Sequence, residues 1–217
     1  MKRFGIATNG LEQYFEDIFK NYFLNYKGEE FSYLEIGAAG CLSLKSFYEI
    51  IKENFNKKVD VVGLDLTNGW SLEWNQIQAF GHPLSIIEKG KLVNGINSDV
   101  KLILEDDPRL WISNYYKNES LDICFIDGCH GSKCVTKDFN TVSSKIKKNG
   151  IVFFHDSGKS ETGTDWQHHC EEFINVRKAI LDLGLDGSNK DWKFINDIEG
   201  SRARGSDGNG LWIIQKI

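Results

Sequence analysis

The 217 residues carry 26 basic and 31 acidic side chains, for a net charge of −5, with 21 Gly and only 2 Pro. That length fits one domain with at most a small appendage, and a chain of this size buries enough surface to fold without staples. The acidic balance argues against a broad electrostatic hold on nucleic acid or an anionic membrane, leaving room only for a local basic groove. No apolar run approaches the roughly 18 residues of a membrane span. Met1-Lys2-Arg3-Phe4-Gly5 is not followed by an apolar signal segment, so the cytoplasm is the expected compartment. The five Cys are expected as free thiols: Cys124, Cys129 and Cys134 are spaced C-x4-C-x4-C, which is neither a zinc knuckle nor a redox pair.

Residues 1–30 read as a helical extension packed on the core. Tyr14, Phe15, Ile18, Tyr22 and Phe23 recur at three- and four-residue spacings, predicting an amphipathic helix that ends near Gly28. It could lie against a sheet, cover a site or make a homodimer contact. Residues 31–217 read as a single domain. FSYLEIGAAG is a strand entering a glycine-rich turn, CLSLKSFYEIIKENFNKK is a helix, and VDVVGLDL is a second, near-continuously apolar strand of the kind buried in a parallel sheet. A less regular stretch with Trp70 and Trp74 precedes three more strands, VKLILEDD, LDICFIDG and GIVFFHDSG. Between the last two, CVTKDFNTVSSKIKKNG reads as a helix stopping at Asn149-Gly150. A helix from about Trp166 to Leu183 follows, then KDWKFINDIEG and GNGLWIIQKI as closing antiparallel strands. The connection GSRARGSDGNG, rich in Gly and charge, is expected as a mobile loop. The expected fold is α/β and Rossmann-like: a mostly parallel seven-stranded sheet with an antiparallel C-terminal strand and helices on both faces.

Several strands end in carboxylates: Asp65, Asp127 and Asp156 close three, and Asp106 with Asp107 closes another. Ligands of open parallel sheets bind beyond the carboxyl ends of the strands. Acidic groups there are costly to bury unless they are paired, hydrated or bound to something. The turn Glu35-Ile36-Gly37-Ala38-Ala39-Gly40 permits close backbone approach to a ligand, although it matches neither a dinucleotide fingerprint nor a phosphate loop. Asp65, at the end of the second strand, is placed to accept hydrogen bonds from a ribose diol. His130 has a side chain suited to taking a proton from a hydroxyl, or to supporting Asp127. His155 should point away from Asp156 if extended geometry persists. Asp165 can cap the helix that follows it, and Trp166 and His168 are candidates for substrate contact. The double His at 168–169 lacks the spacing of a zinc protease.

These motifs together resemble the class I S-adenosylmethionine-dependent methyltransferases, in particular a subgroup of small-molecule O-methyltransferases. YLEIGAAGCLS is similar to the family's first motif and VVGLD to its second, while FIDGCHGSKCVTKDF followed by KKNGIVFFHDS is similar to the subgroup's reactive edge. The resemblance spans about residues 31–160. It implies that Glu35, Gly37 and Gly40 surround the methionine part of S-adenosylmethionine, with Ala38 and Ala39 approaching through their backbone. It further implies Asp65 on the ribose and Asp106 near the adenine. Ala39 stands where the family commonly has glycine. In the metal-dependent branch, Asp127 and Asp156 would hold Mg2+ or another divalent cation, and His130 takes the place of a catalytic lysine. Ser157 stands where that branch has an Asn ligand.

The implied reaction is methyl transfer to the hydroxyl of a small molecule, sugar or secondary metabolite, without nucleic acid or membrane as partner. An RNA or protein acceptor, a non-catalytic nucleotide-binding module and a metal-assisted hydrolase are the competing readings. Arg202 and Arg204 are the feature that would favour RNA, but they form no broad basic face.

Overall fold

The computed structural model describes residues 12–38, 41–55, 58–67, 85–89, 91–94, 99–158, 167–198 and 210–217. Ala39, Gly40, Trp70, Trp74, Asp165, Trp166 and the connection at 199–209 lie outside these residues, as do the side chains of His168 and His169. The chain forms two compact units, residues 1–111 and 112–217.

In the first unit, helix α1 (Glu12–Phe23) precedes strand β1 (Glu30–Ile36), helix α2 (Leu42–Asn54) and strand β2 (Lys58–Asp65). A short hairpin follows, β3 (Ser85–Glu88) and β4 (Lys91–Asn94), then β5 (Val100–Leu104). The strands lie in the order β4-β3-β5-β2-β1, parallel except for β4. α1 buries Phe15, Ile18 and Phe23 of the expected stripe together with Phe19, while Tyr22 is exposed: Phe15 stacks on Phe47 of α2 with ring centroids 4.0 Å apart, and Phe19 and Phe23 close on Phe31 of β1. The helix ends at Phe23, earlier than Gly28. Tyr26 then turns back against Phe31 and Phe55 and donates a hydrogen bond to the Glu30 carbonyl.

Helix α3 (Pro108–Tyr115) leads into the second unit, where β6 (Leu121–Ile126), α4 (Ser132–Ser143), β7 (Ile146–His155), α5 (Gln167–Asp182), β8 (Trp192–Ile198) and β9 (Leu211–Lys216) follow. Here the order is β6-β7-β9-β8, with β6 parallel to β7 and both β7–β9 and β8–β9 antiparallel. Every residue of β6 is buried, Asp122 included, as its otherwise apolar character requires.

All seven expected strands are present. The hairpin β3–β4 is an addition, built from four-residue segments too short to show a period. The helix expected to run to Asn149-Gly150 ends at Ser143, and the lysine-rich stretch joins β7 instead. The reason is pairing: Ile146 registers with Leu121, a bulge follows, and Lys147 reaches the buried Asp122 at 2.8 Å. Asn149 takes a left-handed φ of 66° within that bulge. Among the described residues no helix is long and apolar enough to cross a membrane.

Candidate active site

In the first unit, strand register builds the candidate cofactor cradle. Ile36 pairs with Leu64, so the turn after β1 emerges beside the end of β2. The Gly37 and Ala38 amides both donate to the Leu64 carbonyl, at 2.8 and 3.4 Å. Gly37 has φ 88°, open to glycine at little cost, and Cys41 closes the turn at φ 58° through its amide on the Ala38 carbonyl. Glu35 lies beneath this turn, completely buried. Its carboxylate accepts from the Tyr33 hydroxyl at 2.8 Å and from the Ser43 hydroxyl at 2.5 Å, tying β1 to the first turn of α2. Burial, together with the charges of Glu35 and Asp65, pushes the Cys41 thiol far up, so it stays protonated and inert.

Asp65 ends β2, and its Oδ1 accepts from the Leu66 amide at 2.7 Å. The register Asp65–Leu104 brings the next acidic pair alongside, with the Glu105 amide on the Asp65 carbonyl at 3.0 Å. Asp106 and Asp107 then separate in role. Asp107 accepts from the Leu110 amide at 3.3 Å and caps α3, whose first residue is Pro108. Asp106 instead receives the Thr67 hydroxyl at 2.6 Å and the Lys89 ammonium at 2.9 Å. These two donors hold its carboxyl below the usual range. Lys89 was missed by sequence reasoning because the hairpin carrying it was not foreseen.

In the second unit a different cluster forms. Ile126 registers with Phe154, so Asp127 leaves β6 opposite His155. The Nδ1 of His155 lies 2.8 Å from Asp127 Oδ1 and 3.4 Å from Asp156 Oδ2. The expected divergence of His155 and Asp156 therefore does not occur. Asp156 adopts φ 53°, which breaks the strand alternation at that residue. A left-handed conformation costs an L residue about 1 kcal/mol, least for Asp and Asn, and persists where the surroundings over-determine it. His130, in the loop before α4, brings its Nε2 to 2.9 Å from Asp156 Oδ2 and 3.8 Å from Asp127 Oδ1. One donor atom from each of Asp127, His130 and Asp156 lies within 4.8 Å of the other two.

The electrostatics of this cluster are strongly coupled. Burial alone would lower the His155 pKa, but the charges of Asp127 and Asp156 and its hydrogen bonds to them raise it well above 6.5. Burial would raise Asp156, yet His155 and His130 overcome that and hold its carboxyl far below the ordinary value. Three polar atoms on consecutive residues lack a partner among the described residues: His155 Nε2, Asp156 Oδ1 and the Ser157 hydroxyl. All three side chains are more than nine-tenths buried. Native interiors rarely leave such atoms alone unless water, an ion or a ligand completes them.

The turn after β7 is itself clamped. The Ser157 amide donates to the Gly210 carbonyl at 3.3 Å, and a Cβ on Gly210 would fall 2.5 Å from the Gly158 nitrogen, so only glycine fits. Arg177 of α5 donates to the Ser157 carbonyl at 2.8 Å and forms a two-armed ion pair with Asp197 of β8. Its guanidinium also lies 5.0 Å above the centre of the Trp212 ring. No sequence signal marked Arg177, since its partners are far away along the chain.

Comparison with known proteins bears on the fold and family that carry these residues. A search of curated proteins finds no match. Among solved structures, the O-methyltransferase from Bacillus cereus in complex with SAH aligns at 14% identity and TM-score 0.57, covering 95% of this chain and 80% of its own. A SAM-dependent methyltransferase from Aquifex aeolicus aligns at 11% identity and TM-score 0.53, covering 96% and 98%. Cofactor-bound Rv0187 from MTB aligns at 13% identity and TM-score 0.56, covering 85% and 72%. At such identities the likeness is one of fold: α/β, Rossmann-like, mostly parallel strands flanked by helices on both faces. The sequence itself matches the model of the family described as "Methyltransferase domain" over residues 34–157, which takes in β1, the Gly37 turn, Asp65, Asp127, His130 and Asp156. With more than half its length matched, the chain belongs to the methyltransferase-domain family, as an enzyme of the class I S-adenosylmethionine-dependent fold.

Proposed function

We propose that the protein is an O-methyltransferase acting on a hydroxyl of a small molecule, sugar or secondary metabolite, assisted by a divalent cation. The observation that carries this reading is the cluster of Asp127, His130 and Asp156, in which a buried Asp156 oxygen has no partner among the described residues.

The residues suit both S-adenosylmethionine and a divalent cation. For S-adenosylmethionine, the first unit offers a carboxylate at the end of β2 for the ribose diol and a tight turn at Gly37 for close backbone approach. In this reading Glu35 acts through the turn it braces, since Tyr33 and Ser43 already engage both its oxygens. Gly37 and Ala38 would approach the methionine part through their backbone, and Asp106 would lie near the adenine. For a cation, the Asp127 and Asp156 carboxylates would supply hard oxygen donors suited to Mg2+ or Mn2+, with His130 beside them left to the proton. When bound, the cofactor supplies an electrophilic methyl on sulfonium sulfur, and the cation lowers the pKa of an oxygen it binds.

The chain's own residues do the rest. His130, oriented by its Nε2–H on Asp156, would take the acceptor's hydroxyl proton at its other ring nitrogen, Nδ1. Asp127 and Asp156 orient the centre and balance the charge that the imidazole gains. His155 fixes Asp127 from the buried side, keeping its carboxylate from turning away.

The test is an acceptor screen over catechols, sugars and other polyols with S-adenosylmethionine, run with and without chelator after verified metal removal. Methylation of a hydroxyl that is lost on chelation and restored by Mg2+ or Mn2+ supports the reading. Full turnover without metal removes the cation, and transfer only to RNA or protein removes the small-molecule acceptor.

A further inference from the structure

We infer that Arg177 is a positioning residue for the reactive cluster: it holds the turn after β7 so that Asp156 keeps the left-handed conformation that presents its carboxylate to His130. The inference rests on the reading of Asp156 as part of the reactive centre.

Asp156 sits at φ 53°, where an L residue stays only if its neighbours leave it no better choice. On its N-terminal side the β-ladder fixes the backbone, because His155 pairs with Leu211 of β9. On its C-terminal side regular pairing has ended. The Ser157 amide there makes a long 3.3 Å bond to the Gly210 carbonyl, and the Ser157 carbonyl receives the Arg177 guanidinium at 2.8 Å. The Ser157 side chain adds no restraint, since its buried hydroxyl has no partner among the described residues.

Arg177 is itself held on two other sides. Asp197 takes both arms of its guanidinium, and the Trp212 ring lies against its face. One planar cation thereby links α5, β8 and β9 to a single carbonyl next to the strained residue. A flexible ammonium could reach one of these partners but not reproduce the fork and the stacked face together. Release of the Ser157 carbonyl would let Asp156 relax toward ordinary extended backbone and swing its carboxylate away from His130 Nε2, now 2.9 Å distant.

The decisive experiment compares crystal structures of the full-length wild type and Arg177→Met, which keeps the apolar stem. Loss of the His130–Asp156 contact, with Asp156 returning to negative φ and the rest of the fold unchanged, supports the inference. An unchanged turn in Arg177→Met overturns it, whether or not the protein binds metal. Should Arg177→Met not fold, Arg177→Lys and Asp197→Asn serve in its place, with a loosened Asp156 expected in both.

A calorimetric titration with Mn2+ alone adds a functional readout. Arg177→Met should bind Mn2+ at least tenfold more weakly than wild type, with Arg177→Lys recovering part of the loss and the affinity for S-adenosylhomocysteine kept within twofold. A general structural role would weaken both ligands together and overturns the inference. Asp156→Asn is the control that separates the two readings. If it leaves Mn2+ affinity intact, the cation site of the proposed function fails, while the crystal structures still decide the role of Arg177.

Discussion

Two buried carboxylates near strand ends, Glu35 in the first unit and Asp156 in the second, have opposite hydrogen-bond inventories. Glu35 has a hydroxyl on each oxygen. Asp156 has two imidazoles crowding one oxygen, none on the other, and a left-handed backbone. A buried acid whose needs are met internally is a brace. One with an oxygen left unpartnered among the described residues is a candidate for holding a ligand. The same residue chemistry at the same kind of place in a strand thus serves two purposes, and the neighbouring donors decide which.

The largest expected effect tests the incomplete side. Asp156→Asn should lower methyl-transfer turnover by about 10²- to 10⁴-fold, the range for loss of a group that serves proton transfer, and should also lower the thermal midpoint at neutral pH because the charge that pairs with His155 is gone. A large loss of stability with turnover preserved would make Asp156 a second brace. The completed side should respond in the reverse sense. Glu35→Ala strands the Tyr33 and Ser43 hydroxyls in the core and should cost about 3 kcal/mol in urea unfolding. Equal stability of the variant would show that Glu35 does not hold the turn.

Asp65→Ala separates binding from bracing within the first unit. Affinity for S-adenosylhomocysteine should fall about tenfold or more, as for a lost hydrogen bond to a charged group, with little change in unfolding. Unchanged affinity by calorimetry would take the ribose role from Asp65.

A smaller effect lies in pH. His155 has its pKa raised on folding, so its contribution is fully present below about pH 6.5 and fades as pH rises through the higher folded value. Asp156 has its pKa lowered, so its contribution is present above about pH 4 and is lost as pH falls toward the folded value. The stability difference between wild type and His155→Gln should therefore shrink as pH climbs above 6.5, read from thermal midpoints across a pH series. A difference that grows with pH would reverse the assigned direction. Least of all should Lys89→Ala matter to folding: its ion pair with Asp106 is exposed, and the thermal midpoint should stay where it is.

Much of this was legible in the sequence, for identifiable reasons. β2 and β6 are near-continuous apolar runs, and a strand buried on both faces has no other way to read. Asp65, Asp127 and Asp156 stand out because a carboxylate at the end of such a run needs explaining. What escaped was whatever depends on partners remote in sequence. Lys147-Lys148-Asn149-Gly150 looks like a helix terminus, yet the bulge opposite β6 and the buried Asp122 make it strand. His155 was expected to diverge from Asp156 because alternation assumes negative φ, and one left-handed residue cancels that assumption. Arg177 is an ordinary arginine on an amphipathic helix until Ser157, Asp197 and Trp212 arrive around it.

The Ser157–Gly210 bond has a consequence for how such an enzyme diversifies. The chain leaves at one member of that pair and returns at the other, with α5 and β8 of the core in between. Sequence change in that stretch should leave the carboxylate's aim intact on two conditions. Position 210 must have no side chain, and an arginine must remain at 177 to grip the seam.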